Sequence, residues 1–184
     1  MITEIGHFAL LLALGVAAVQ TILPAWGAHR GNAALMQTCV PTAVAQFALV
    51  LIAFAALTHA FVISDFSVSN VAYNSHSAKP MIYKITGVWG NHEGSMVLWV
   101  LILALFGAGV AVFGRNLPST LKANTLAVQG SLSLAFLIFI IATSNPFTRL
   151  DPAPIEGNGL NPILQDVALA FHHPLLYADY VRFP

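Results

Sequence analysis

The sequence predicts an all-α polytopic membrane protein: four transmembrane helices plus an extracytoplasmic tail that carries a short amphipathic helix. Three observations lead there. Of the 184 residues, 58% are hydrophobic and only 8% are charged, and the mean hydropathy is +0.79, far from the balance of a water-soluble domain. Four windows, at about 5–25, 42–63, 96–113 and 126–142, approach the ~20 apolar residues that cross a bilayer, and none of them holds Asp, Glu, Lys or Arg. In hydrocarbon every backbone N–H and C=O must be satisfied within its own segment, and these runs are about twice the length of a barrel strand, so they are helices.

The first span follows Met-Ile-Thr-Glu, a leader with no basic residue and an acidic one, and its apolar run is longer than a signal core, so it reads as a retained anchor. A short loop with His29 and Arg30 leads to the second span. A longer loop, 64–95, holds Asp65, Lys79, Lys84 and Glu93, and another short one, with Arg115 and Lys122, joins spans three and four. Lys and Arg number three on the short-loop side and four on the other. Orientation is weighted toward short loops and ignores acids, which favours the short loops as cytoplasmic. The N-terminus, the 64–95 loop and the tail then face the periplasm across a bacterial inner membrane. The tail, 143–184, is broken by Pro146, Pro152, Pro154, Pro162 and Pro174, so most of it is not regular helix. A short amphipathic helix is expected over about 161–171, with Asn161 as cap and Pro162 at the first helical position. The whole chain, 1–184, reads as a single membrane domain.

A net formal charge of zero gives no basic surface for nucleic acid. Cys39 is the single cysteine, so this chain holds no internal disulfide, no CxxC pair and no C-x-x-C-H haem attachment site.

On this topology six of the seven histidines fall on one side: His7, His59, His76, His92, His172 and His173, with His29 on the other. Interfacial histidines are ordinary, but ionisable groups inside spans tend to face a bundle interior or a cavity. That applies to His7 and His59. In the run Trp89-Gly90-Asn91-His92-Glu93-Gly94-Ser95-Met96, Asn91 suits a helix N-cap, Glu93 suits the positive end of the helix dipole, and Trp89 and Trp99 suit anchoring near headgroups. His92 is left over. Beside Glu93 and Trp89 it could bind haem iron, meet a haem propionate or relay a proton; capping and anchoring are the competing roles for the stretch.

Taken in order, Ser64-Asp65-Phe66-Ser67-Val68, Asn74-Ser75-His76-Ser77, Lys79-Pro80, Tyr83-Lys84, GVWGNHEGSM through Met96, TSNPF through Phe147 and EGNGLNPILQD through Asp166 resemble the N-terminal part of the CcmF family, the haem lyase subunit of cytochrome c maturation. The resemblance implies a multi-pass inner-membrane protein that accepts haem b from the chaperone CcmE. It positions that haem for thioether attachment to the C-x-x-C-H motif of apocytochrome c, alongside other maturation subunits such as CcmH. The family's first haem-ligating histidine lies in a Phe-His-Pro-Pro-x-Leu-Tyr motif. Here the run is Phe171-His172-His173-Pro174-Leu175-Leu176-Tyr177, which carries the axial ligand over to His172. His173 stands where the family usually has the first proline, and Asp179 and Arg182 stand where it usually has glycine. The family's WWD loop and second histidine have no match, so the chain reads as the front portion of a longer protein, or a truncated copy. Such a portion is expected to be inactive alone. The alternative to a lyase component is a non-catalytic haem-binding or docking module of the same assembly. A transporter fragment is disfavoured, since no span is broken at midplane by Gly and Pro and none holds an acidic residue.

Overall fold

The computed structural model describes residues 1–162 and 165–182. Four of its helices are long and apolar enough to cross a membrane: α1 (Ile2–Arg30), α3 (Cys39–Val62), α6 (His92–Phe113) and α7 (Ser119–Thr143). Between them lie α2 (Ala33–Gln37), α4 (Ser69–Asn74) and α5 (Met81–Thr86), and α8 (Val167–Arg182) follows. His29 and Arg30, expected in a loop, form the last turn of α1. Lys122 lies inside α7.

The four long helices pack in a closed ring, α1 on α3, α3 on α6, α6 on α7 and α7 on α1. Lipid tails are as apolar as leucine, so this association rests on close van der Waals packing, and small residues permit it. Ala9, Ala13 and Ala17 of α1 and Ala43, Ala53 and Ala60 of α3 are all buried. One close approach is at Gly6, where an added Cβ would sit 2.6 Å from the Ala56 Cβ and 2.8 Å from the Phe147 ring. Polar groups in the interior need partners. Gln20 finds them for its amide nitrogen, which donates to the Leu126 carbonyl at 2.9 Å and to Gln129 Oε1 at 2.6 Å, while its Oε1 has none among the described residues. Gln46, fully buried on α3, has no partner for either amide atom among the described residues.

Call the end of the bundle that holds Ile2, Val62, His92 and Thr143 the upper end. All seven carboxylate residues, Glu4, Asp65, Glu93, Asp151, Glu156, Asp166 and Asp179, belong to segments at that end. The tail is laced to the segment after α3 by backbone bonds, Ser69 N–H to Thr148 O and Leu150 N–H to Ser67 O, both at 2.8 Å. Further on, Asn158 N–H bonds Ala72 O at 2.8 Å and Gly159 N–H bonds Ser75 O at 3.0 Å. Tail and loop thus form one irregular cap on the bundle.

The tail helix differs from expectation. It begins at Val167 instead of Asn161 and runs through Pro174 to Arg182; Ile163 and Leu164, inside the expected helix, lie outside the described residues. Proline normally ends a helix because it has no N–H for the carbonyl four residues back. Here that carbonyl, of Ala170, takes a donor from elsewhere in the chain, as described next.

Candidate functional site

The site elements meet at the upper end, around the segment that starts α6. Asn91 is its N-cap: extended at φ −134°, it accepts the Gly94 N–H on Oδ1 at 2.8 Å, while its Nδ2 donates to the carbonyls of Gly87 and Val88 at 2.8 and 3.1 Å. This side chain holds the Gly87–Gly94 turn from both ends. Glu93 falls in the first turn, at the positive end of the helix dipole, and is half-buried.

Trp89 projects from the same turn. Its ring lies nearly parallel to Phe54 of α3, centroids 6.4 Å apart, and its Nε1 donates to the carbonyl oxygen of Ala170 in α8 at 2.8 Å. The same turn of α8 carries His172 and His173. His172 is exposed, and its described contact is the edge of the His173 ring, 6.0 Å away. His173 is half-buried and meets Tyr177 at 6.2 Å. Adjacent residues on a helix point ~100° apart, so the two imidazoles do not address one ligand from the same direction.

His92 belongs to a different corner. Its Nε2 lies 3.1 Å from Ser144 Oγ, and its ring meets Phe139 edge-on at 6.2 Å. The neighbouring Asn145 serves His7: its Nδ2 donates to His7 Nε2 at 3.2 Å, and Phe147 stacks on that imidazole at 6.1 Å. Consecutive residues of the TSNPF run therefore engage one histidine from α6 and one from α1. Of the sequence candidates, the structure joins Trp89 to the His172–His173 helix and ties His92 to the end of α7. His59 is exposed on α3, and His76 sits 3.8 Å from Glu156.

A cluster that the sequence reading did not single out lies alongside. Arg149 donates to Asp65 at 3.2 Å and also contacts Ser67 and Glu4, and Thr3 donates to Asp65 at 3.5 Å. Burial pushes the Asp65 carboxyl up, but the Ser67 hydroxyl and the Arg149 guanidinium together hold it below the usual range. The alternation of Asp65 and Ser67 was visible in the sequence; their partner, 84 residues away from Asp65, was not.

A lone imidazole would serve a porphyrin iron but would not hold a bare ion. Among the described residues no three His, Cys, Asp or Glu gather to hold a metal, whereas haem iron brings its own ring nitrogens and asks the protein for an axial imidazole. His172 has one available.

Residues 89–183 match the family described as Cytochrome C assembly protein. The chain belongs to that family. The match begins at Trp89 and takes in all of Trp89, His92, Glu93, His172 and His173. Across the whole length, the chain is 61% identical over 181 residues to the cytochrome c-type biogenesis protein ccl1 of Rhodobacter capsulatus, covering 98% of this chain and 28% of that one. It is 46% identical over 184 residues to the cytochrome c-type biogenesis protein CcmF of Escherichia coli, covering 100% of this chain and 28% of that one. A solved structure titled cytochrome c heme lyase CcmF superposes with a TM-score of 0.86 at 23% identity, covering 98% of this chain and 28% of that one. That likeness speaks for the fold. The chain is thus similar to CcmF-type proteins of cytochrome c biogenesis, with four helices long and apolar enough to cross a membrane, and it spans under a third of the length of these relatives.

Proposed function

We propose that this chain forms the haem-holding front part of a CcmF-type haem lyase. It receives haem b from the chaperone CcmE on the periplasmic side of the inner membrane and presents it to apocytochrome c, with CcmH as a neighbouring maturation subunit. The observation that carries the proposal is His172: an exposed imidazole on a helix braced against the bundle, in the Phe-His run that the family resemblance assigns to iron. Bound there, haem supplies the vinyl groups and the apocytochrome supplies the thiols, so this chain's task is to orient and not to provide a nucleophile. In this reading Trp89 lies behind the ligand helix. His92 and Glu93, at the start of α6, are the groups that would meet a propionate or pass a proton.

Purified in detergent and reconstituted with haem, the chain should lose its axial-imidazole spectrum on His172→Gly and keep it on His173→Gly. Loss in the second variant alone would move the ligand to His173; no change in either would end the proposal. A second reading is a haem-binding module that does not itself join haem to protein, for which the exposed His172 imidazole alone would suffice. Covalent transfer to an apocytochrome peptide, assayed with and without the downstream region of a relative supplied in trans, separates the two. Sidedness is read independently: a thiol introduced at His76 should react with an impermeant reagent from the periplasmic face.

A further inference from the structure

In an α-helix the N–H of residue i serves the carbonyl of residue i−4. Pro174 has no N–H, so the Ala170 carbonyl loses its helical donor. Ala170 is 5% exposed, which leaves little access for water, and a buried carbonyl without a donor is destabilising. The chain satisfies it from another element: Trp89 Nε1 donates to Ala170 O at 2.8 Å across 81 residues. Trp89 is itself held, by the Phe54 ring on one side and by the Asn91-capped turn below. His172 and His173 lie between Ala170 and Pro174, inside the one turn of α8 whose internal bond is missing.

We infer that Trp89 is a positioning residue for the haem ligand: by occupying the carbonyl that Pro174 frees, its indole pins the rotation of α8 and with it the direction of the His172 imidazole. This rests on the reading of His172 as the ligand. The proline and the tryptophan are then two halves of one device. Pro174 opens a backbone acceptor in the ligand turn, and Trp89 closes it from the rim of α6, coupling the ligand helix to the start of a transmembrane span.

The test uses the full chain, with haem as the probe. Trp89→Phe keeps an aromatic ring against Phe54 and removes the N–H. It should weaken haem binding roughly tenfold, the scale of one buried unsatisfied carbonyl, and replace the parent's single ferric haem signature with a mixture. Pro174→Ala returns an intrahelical donor to Ala170, so Trp89→Phe combined with Pro174→Ala satisfies the carbonyl without the tie to α6: affinity should recover in part, while the mixed signature persists. Full recovery of the single signature in the double variant would show that only the unsatisfied carbonyl matters and not the tie to α6, and would overturn the inference. If His172→Gly changes the haem spectrum while Trp89→Phe leaves it untouched, the inference falls and the ligand reading stands. If His172→Gly changes nothing, both fall. Should Trp89→Phe fail to fold, Pro174→Ala alone decides. Its new donor competes for the carbonyl, so the Trp89 indole proton should exchange with solvent several-fold faster than in the parent, and an unchanged rate would refute the pairing.

Discussion

Arg149 Nη1 donates to Asp65 Oδ2 at 3.2 Å, and this contact joins the residue that follows α3 to the tail that follows α7. The same guanidinium reaches Glu4 at the start of α1, so three of the four spans are tied at one point above the bundle. The neighbouring backbone bonds, Ser69 to Thr148 and Leu150 to Ser67, hold the tail in register. Because Arg149 is partly exposed, 38% by side chain, solvent and salt weaken each pair, and an isolated exposed pair is worth under about 1 kcal/mol. Arg149→Ala should therefore leave the bundle folded, while amides of Ser69 and Leu150 exchange faster, with the difference shrinking as salt rises. Equal exchange in the two proteins at low salt would show that the backbone bonds hold the tail without the charge cluster.

A second tie is pH-dependent. Glu156 accepts from the Ser77 hydroxyl and, at 2.9 Å, from the Ser77 N–H, and its Oε1 also takes the Gly157 N–H at 3.1 Å. The Ser77 hydroxyl and amide hold its carboxyl down from 4.5 to about 2. A carboxylate depressed in the folded state stabilises that state above its ordinary value and loses the contribution as pH falls toward the depressed one. Cleavage of the Ser75–Pro80 stretch by an acid-active protease should thus be constant above about pH 5 and rise toward pH 2. Glu156→Gln should cleave at the acid rate throughout. A pH-independent cleavage rate in the parent would refute the latch.

How much of this was legible in the sequence depends on the range of the interactions concerned. Spans are set by composition over ~20 residues and the Asn91 cap by spacing over three, and both stand in the structure. The tail helix was misplaced because Pro174 reads as a breaker to any local rule. What overrides it is the Trp89 indole, 81 residues earlier. His92 looked unoccupied for the same reason, since its partner Ser144 is 52 residues on. The candidate residues were within reach of pattern and family likeness; which of them stand together was a matter of helix packing, to which periodicity is blind.

Gln46 offers a test of the bundle interior. It is fully buried on α3, and its amide nitrogen and oxygen both lack a protein partner among the described residues. An amide desolvated without hydrogen bonds costs about 1–3 kcal/mol on mutational scales. Leucine, of similar volume, removes that cost, so Gln46→Leu should raise stability in detergent by about 1–3 kcal/mol. Gln20→Leu should lower it, because the two bonds that the Gln20 Nε2 gives to Leu126 and Gln129 outweigh its unpaired Oε1. A marked loss of stability on Gln46→Leu would mean that the carboxamide is bonded, by an internal water or otherwise.

Two glycines of α6 make the sharpest contrast. A Cβ on Gly94 would fall 1.6 Å from the Val88 carbonyl oxygen, a backbone atom that cannot rotate away, whereas one on Gly109 would meet nothing within 4 Å. The Gly94 N–H is also the one that Asn91 caps, so displacing it opens the turn that carries Trp89 and aims His92 and Glu93. Gly94→Ala should cost about 3 kcal/mol or more, beyond the usual range for overpacking because backbone must move. It should also release the Trp89 indole from Ala170, seen as a red-shifted emission in a variant whose other tryptophans, Trp26 and Trp99, are replaced by Phe. Gly109→Ala, on an open face of the same helix, should be neutral or slightly stabilising. Equal behaviour of the two alanine variants would contradict the tight approach of Val88 to the first turn of α6, and with it the geometry on which the candidate site is built.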